Sequence, residues 1–191
     1  VIAAVLEQLA AESGAADPPR VTVATTLDAA LEDAAFVFSA IRVGGLAART
    51  QDERVALAAG VLGQETTGPG GLAYALRTVP VARRIAERIA AVAPTAYVIN
   101  FTNPAGIITE AMQAVLGDRV IGVCDTPSAL AQRVVAVLGL PPQRTRLDYV
   151  GLNHLGWLRG VHVDGEDRLP ELLDSDALLA QTEEAQLFGA D

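Results

Sequence analysis

The chain has 191 residues, 51% hydrophobic but only 4% aromatic, so Ala, Val and Leu must pack one compact domain and the start of a second. Its net charge is −9 and all 14 basic residues are Arg, a balance that excludes a general nucleic-acid binder, since neutralising phosphates needs a basic surface. One cysteine excludes an internal disulfide; with no basic leader and no apolar run near the roughly 20 residues of a membrane helix, the expected location is the cytoplasm, away from membrane.

Residues 1–13 carry helical periodicity, with Ile2, Val5, Leu6 and Leu9 on one face, until Gly14 and the Asp17-Pro18-Pro19 run stop them. The start has no cap, as though an earlier element had been cut away. Residues 21–25 are β-branched and read as a short strand; residues 28–33 form a brief helix that Thr26 or Asp28 can cap. AFVFSAI, residues 35–41, is the continuous apolar run of a strand buried on both faces.

A helix is expected over residues 47–59, a glycine-rich loop over 60–71, and a long helix over 73–93 that Pro80 kinks or splits. A strand over 96–101, a helix over 105–116, a strand over 120–124 and a helix over 127–138 follow, the last ended by Gly139 and Pro141-Pro142. Residues 147–151 and 157–163 alternate polar and apolar, as an antiparallel pair leaving the sheet would, with a turn at Asp164-Gly165. Residues 169–191 read as helical. This alternation predicts an α/β fold: a doubly wound parallel sheet, truncated, over residues 1–146, and the beginning of a second α+β domain over 147–191. The chain reads as a piece of a longer protein, and alone it should expose a sheet edge and apolar faces.

Three apolar runs deliver polar residues at their carboxyl ends: Asn100 and Asn103, then Cys124 and Asp125, then Asn153 and His154. Open α/β sheets bind ligands outside those ends. Cys124 and His154 are a soft ligand and an imidazole that together suit a transition metal, or else a small buried cysteine and a structural histidine. His162 has no role in this reading. Asp125 before Thr126-Pro127 suits an N-cap, and near a metal it also suits a general acid or base. Asn103 before Pro104 suits a cap or a substrate hydrogen bond. The loop GQETTGPGG permits close backbone approach to a ligand but lacks the dinucleotide fingerprint. Arg42 and Arg49 flank the crevice mouth, where they either grip an anion or pair with Asp52 or Glu53.

The ordered set IRVGGLAARTQDE, GVLGQETTGPGGLAYALRTVP, INFTNPAGI, GVCDTP and GLNHLGW closely resembles glycoside hydrolase family 4, over residues 22–163. The resemblance implies a fold similar to lactate and malate dehydrogenase and an NAD-dependent exception among glycosidases. It implies hydride transfer from sugar C3 to NAD, loss of the C2 proton and elimination of the glycosidic oxygen. Water addition and hydride return follow, with a divalent metal, usually Mn²⁺, polarising the sugar oxygens.

By the family pattern Cys124 and His154 hold the metal, Asn103, Asn153 and Arg49 contact the substrate, and Asp125 is the acid that assists the leaving group. Arg49 falls where phosphorylated members grip the 6-phosphate; Asn100 and Glu65 lie near cofactor and substrate. The implied substrates are 6-phosphoglucosides, with 6-phospho-β-glucosidase favoured and 6-phospho-α-glucosidase as the alternative. The implied assembly is a homo-oligomer, a dimer or tetramer. The family's N-terminal glycine loop and its catalytic tyrosine have no match here, since Tyr74, Tyr97 and Tyr149 do not fall at that position. A 2-hydroxyacid dehydrogenase and an inactive truncated binding module are the competing readings.

Overall fold

The computed structural model describes residues 2–177 and 180. Its first sheet is parallel and three-stranded, built from β1 (Phe36–Ser39), β2 (Tyr97–Asn100) and β3 (Val120–Gly122) in the order β1-β2-β3. Between β1 and β2 run α3 (Gly45–Ala58) and α4 (Gly68–Val92); between β2 and β3 runs α5 (Ala105–Leu116). Right-handed crossovers in a sequential strand order put those helices on one face. Accordingly α4 and α5 pack on each other and on Val98 and Val120.

That face is the main core: Ala82, Ala86 and Ile89 of α4 meet Ile108, Met112 and Leu116 of α5, with Leu31 from α2 (Leu27–Leu31) at the edge. Ile108 is fully buried, so Ile108→Ala should lower the unfolding free energy of the protein by about 2–5 kcal/mol. Urea denaturation measures it, and a loss under about 1 kcal/mol would contradict this packing.

The opposite face carries Phe36, Phe38, Tyr97 and Ile121, at 63%, 66%, 48% and 52% exposure. AFVFSAI is therefore buried on one face only, and the expected bare apolar surface is present. Residues 21–25 form no strand; they are mostly exposed, with no described strand beside them to share backbone hydrogen bonds. Thr26 caps α2 by accepting the Ala29 N–H at 3.2 Å. The first helix, α1 (Ile2–Glu12), buries none of its residues.

The glycine-rich loop is shorter than expected, because α4 already starts at Gly68 and takes Pro69, Gly70 and Gly71 into its first turn. Proline suits that turn, where its missing N–H has no partner to lose. Nor does Pro80 split the helix, which runs 25 residues through it. Pro80 and Leu76 both lie on the exposed face, so water can reach the Leu76 carbonyl that loses its partner.

A second sheet is antiparallel, from β4 (Thr145–Leu152), β5 (Leu155–Val163) and β6 (Glu166–Asp167). Its core joins Val161 to Val134 of α6 (Thr126–Val137), Leu140 and Leu172 of α7 (Leu169–Leu173). Packing thus draws α6, within the expected first unit 1–146, into the second core. Of the helix expected over 169–191, only α7 forms among the described residues, residues 174–177 being turn or irregular, and residues 178–179 and 181–191 lie outside the described residues. No described helix is long and apolar enough to cross a membrane.

Candidate active site

The register aligns Ser39, Asn100 and Gly122 in one row at the carboxyl edge of the parallel sheet. Thr102 ties the ends of β1 and β2 together: its hydroxyl donates to the Ser39 carbonyl at 3.2 Å and accepts from Ile41 N–H at 3.0 Å. Asn100 is wholly buried. Its Oδ1 accepts from Thr102 N–H at 3.0 Å, while Nδ2 donates to the Thr102 carbonyl and the Thr109 hydroxyl, both at 3.2 Å. With these bonds Asn100, at the carboxyl edge of the sheet, clamps the turn that presents Asn103.

Val123 prolongs the pairing of β3 through its N–H to the Asn100 carbonyl at 3.0 Å, and Cys124 follows it out of the sheet. Asp125 occupies the N-cap position of α6 but forms no side-chain cap bond. Its carboxylate stays exposed and free of hydrogen bonds among the described residues, beside Cys124. Asn103 does not cap α5 either; Pro104 holds that position.

The opposing wall comes from the second sheet. β4 and β5 extend beyond the expected strands until only Asn153 and His154 remain between them, pairing Leu152 with Leu155 and Gly151 with Gly156. Gly151 sits at φ +131°, where a Cβ would meet the Leu155 carbonyl, so the tight closure demands glycine. His154 itself holds φ +55°. The hairpin tip brings His154 Nε2 to 3.7 Å from Cys124 Sγ, across thirty residues of sequence.

That spacing fits a shared metal ion: a thiolate at about 2.3 Å and an imidazole at about 2.1 Å from one tetrahedral ion stand roughly 3.6 Å apart. No third His, Cys, Asp or Glu joins them among the described residues. The pair therefore makes a half-site that leaves coordination positions open for oxygen ligands. Next to it, Asn153 Oδ1 is buried without a hydrogen-bond donor, in cavities it shares with Cys124. An unpaired buried acceptor costs free energy unless a ligand supplies the donor.

His154 also lines an open cleft of about 610 Å³ with Arg49, Glu53, Glu65, Asn103 and Arg133. Glu65 is its hub. It takes Arg42 at 2.9 Å, Arg49 at 3.1 Å and the Asn103 amide at 3.5 Å. Arg49 also donates to Glu53 at 2.8 Å, the carboxylate anticipated from sequence, which raises the Arg49 pKa. Arg42 pairs with Glu65 rather than with Asp52 or Glu53. Asp52 belongs instead to Arg77, bonded through two guanidinium nitrogens at 3.0 and 2.6 Å.

Tyr74 lies behind this network, donating to the Ile41 carbonyl at 3.1 Å, and burial pushes its phenol up. It is a structural tyrosine and a poor base. The expected residues Arg49, Glu65, Asn103 and His154 thus share one cleft, with Cys124 and Asn153 against its His154 wall. Asp125 lines neither the cleft nor the cavities beside Cys124. Sequence reasoning missed Arg133; the available signal was a lone cation inside the otherwise uncharged SALAQRVVAV.

The family model described as family 4 glycosyl hydrolase matches residues 2–140. A 6-phospho-beta-glucosidase of Escherichia coli (strain K12) is 46% identical over 150 residues, 78% of this chain and 33% of the relative. The chain thus spans about a third of the length of this curated relative. A crystal structure of a 6-phospho-alpha-glucosidase from gut microorganisms, in complex with NAD and Mn²⁺, superposes with a TM-score of 0.73 at 36% identity, covering 79% of this chain and 35% of that one. Lactate dehydrogenase from Eimeria maxima superposes with a TM-score of 0.64 at 15% identity over 98% of this chain and 57% of that one, which shows the shared Rossmann-like fold alone. With the family model matched over residues 2–140, the greater part of this chain, the chain belongs to the family 4 glycosyl hydrolases.

Proposed function

We propose that the full-length protein hydrolyses the O-glycosidic bond of a 6-phosphoglucoside, preferring the β-anomer, with NAD and Mn²⁺ as cofactors. The observation that carries this reading is the 3.7 Å approach of Cys124 Sγ to His154 Nε2 beside the cleft that holds Arg49 and Asn103. The 46% identity to a 6-phospho-beta-glucosidase supports the anomeric preference. The reading places the enzyme in the cytoplasm as a homo-oligomer, a dimer or tetramer.

Cys124 and His154 hold the metal. A metal held there would supply Lewis acidity toward the sugar, and NAD would supply reversible hydride acceptance. Asn153 Oδ1, the buried acceptor without a donor, takes a sugar hydroxyl proton in a hydrogen bond, and Asn103 orients the ring from the opposite wall. Asp125, next to Cys124 in the chain and free of capping, is the acid assigned to the leaving glycosidic oxygen, which on this reading lies at the exposed rim outside the cleft lining. Arg49 grips the phosphate at the cleft mouth. Glu65 fixes Arg42, Arg49 and Asn103 relative to one another, and Asn100 fixes the turn below them.

The test is turnover of 4-nitrophenyl 6-phospho-β-glucoside, with the α-anomer as comparison. Hydrolysis should require both NAD and Mn²⁺ and stop on chelation. Turnover indifferent to the chelator, or oxidation of a 2-hydroxyacid in place of hydrolysis, would sink the reading in favour of a dehydrogenase.

A further inference from the structure

Arg133 lies on α6 seven residues after Thr126, and both line the cleft with Arg49 and His154. The other charged groups of that cleft are committed: Glu53 and Glu65 to Arg49, and Glu65 to Arg42 as well. Arg133 forms no ion pair among the described residues, and its Nε is buried without an acceptor. A guanidinium cannot escape this by losing its proton, because it stays charged at any ordinary pH. The residue as a whole is only half-buried and lines the cleft, and its terminal N–H groups bond to nothing among the described residues, so they are open to an anionic partner that arrives from outside. The adjacent Val134 is fully buried in the second core, and Leu130 and Val135 pack against that core too; together they anchor the helix that carries Arg133.

We infer that Arg133 is the specificity-determining residue that takes the phosphate of the sugar, through the paired N–H groups of its fork, with Arg49 as the outer contact. The inference rests on the phosphoglucoside reading above and sharpens it. Arg49 reaches the cleft already held by two carboxylates, whereas Arg133 has its full charge to offer. The fork of a guanidinium matches two oxygens of a phosphomonoester, and a neutral sugar offers nothing that compensates it. Seven residues along a helix is about 10 Å. A hexose phosphate can therefore place its phosphate at Arg133 while its ring oxygens meet the Cys124–His154 end. The dinucleotide carries phosphates too, and the same fork chemistry would suit them; the experiment separates the two sources.

Glucose 6-phosphate, glucose and NAD⁺ are titrated calorimetrically into the full-length protein loaded with Mn²⁺, as wild type, Arg133→Gln and Arg133→Lys. Loss of a charge-assisted pair predicts that Arg133→Gln binds glucose 6-phosphate about 30-fold more weakly. Arg133→Lys, which keeps the charge but loses the fork, should weaken binding roughly 5-fold. Glucose and NAD⁺ should bind all three proteins equally. Should Arg133→Gln not fold, the lysine variant decides. Unchanged affinity for glucose 6-phosphate, or a loss confined to NAD⁺, overturns the assignment while leaving the phosphoglucoside reading intact. Wild-type protein that binds NAD⁺ and Mn²⁺ but no glucose 6-phosphate overturns both.

Discussion

Cys124→Ser and His154→Gly are each expected to weaken Mn²⁺ binding by the full-length protein at least about 100-fold, since four-ligand zinc sites worth about 10–16 kcal/mol assign roughly 3 kcal/mol to each donor. The choice of substitutions follows from the backbone. His154 stands at φ +55° in a two-residue hairpin turn, a conformation in which alanine is strained and glycine is not. Alanine there would mix loss of the imidazole with distortion of the hairpin. Glycine removes only the donor. Serine at position 124 keeps the size of the cysteine and replaces the soft thiolate by a hydroxyl that binds divalent ions poorly.

Calorimetry reads the effect directly, and circular dichroism on the same samples separates lost affinity from lost fold. The donor set carries a second consequence. Mn²⁺ is the weakest of the first-row divalent series, so Co²⁺ should bind the wild-type pair more tightly. If both variants kept wild-type Mn²⁺ affinity, the 3.7 Å approach of sulfur and nitrogen would be a packing contact and the metal would sit elsewhere.

The sequence marks these candidate residues by their place at strand ends, and it does not mark their surroundings. Cys124, Asn103 and His154 were readable because each follows an apolar run, and the carboxyl ends of strands are where such a fold exposes polar groups. The residues that share a bond across the chain left no local trace. Glu65 joins Arg42, Arg49 and Asn103 from a loop whose composition says only that it is a loop. Arg133 is one arginine among 14, and only the packing of α6 shows that its Nε lacks a partner.

Strand prediction erred where pairing decides. Residues 21–25 have the right residue types but no described neighbour, whereas Leu155 and Gly156, passed over in the sequence, are held as strand by Leu152 and Gly151 opposite. β-propensity is mostly a statement about such neighbours. The apolar run of β1 carried a further ambiguity: its composition suits burial on both faces, yet helices cover one.

Gly70→Ala is expected to reduce binding and turnover of the phosphorylated sugar about 100-fold, because misplacing a site by about 1 Å is worth that much, while Mn²⁺ affinity stays within about threefold. The GQETTGPGG segment suggests a backbone that comes close to a ligand. The structure gives the glycines another task. A Cβ on Gly70 would stand 2.2 Å from the Gln64 carbonyl oxygen, and one on Gly71 would stand 2.5 Å from that of Thr66. Both obstacles are backbone atoms, so they cannot swing aside as a side chain would.

The first turn of α4 thus packs directly under residues 64–66, and the segment it supports presents Glu65 to Arg42, Arg49 and Asn103. An added methyl group must lift that segment, which detaches the hub from all three partners. Cys124 follows β3 and His154 stands at the tip of the β4–β5 hairpin, both outside the disturbance. This separation yields a cycle of measurements. If Gly70→Ala acts by displacing Glu65, then adding Glu65→Gln to it should lower glucose 6-phosphate affinity no further than the stronger single change. Full additivity would mean that the loop contacts the sugar through its own backbone, as the sequence first suggests, and that Glu65 is a bystander.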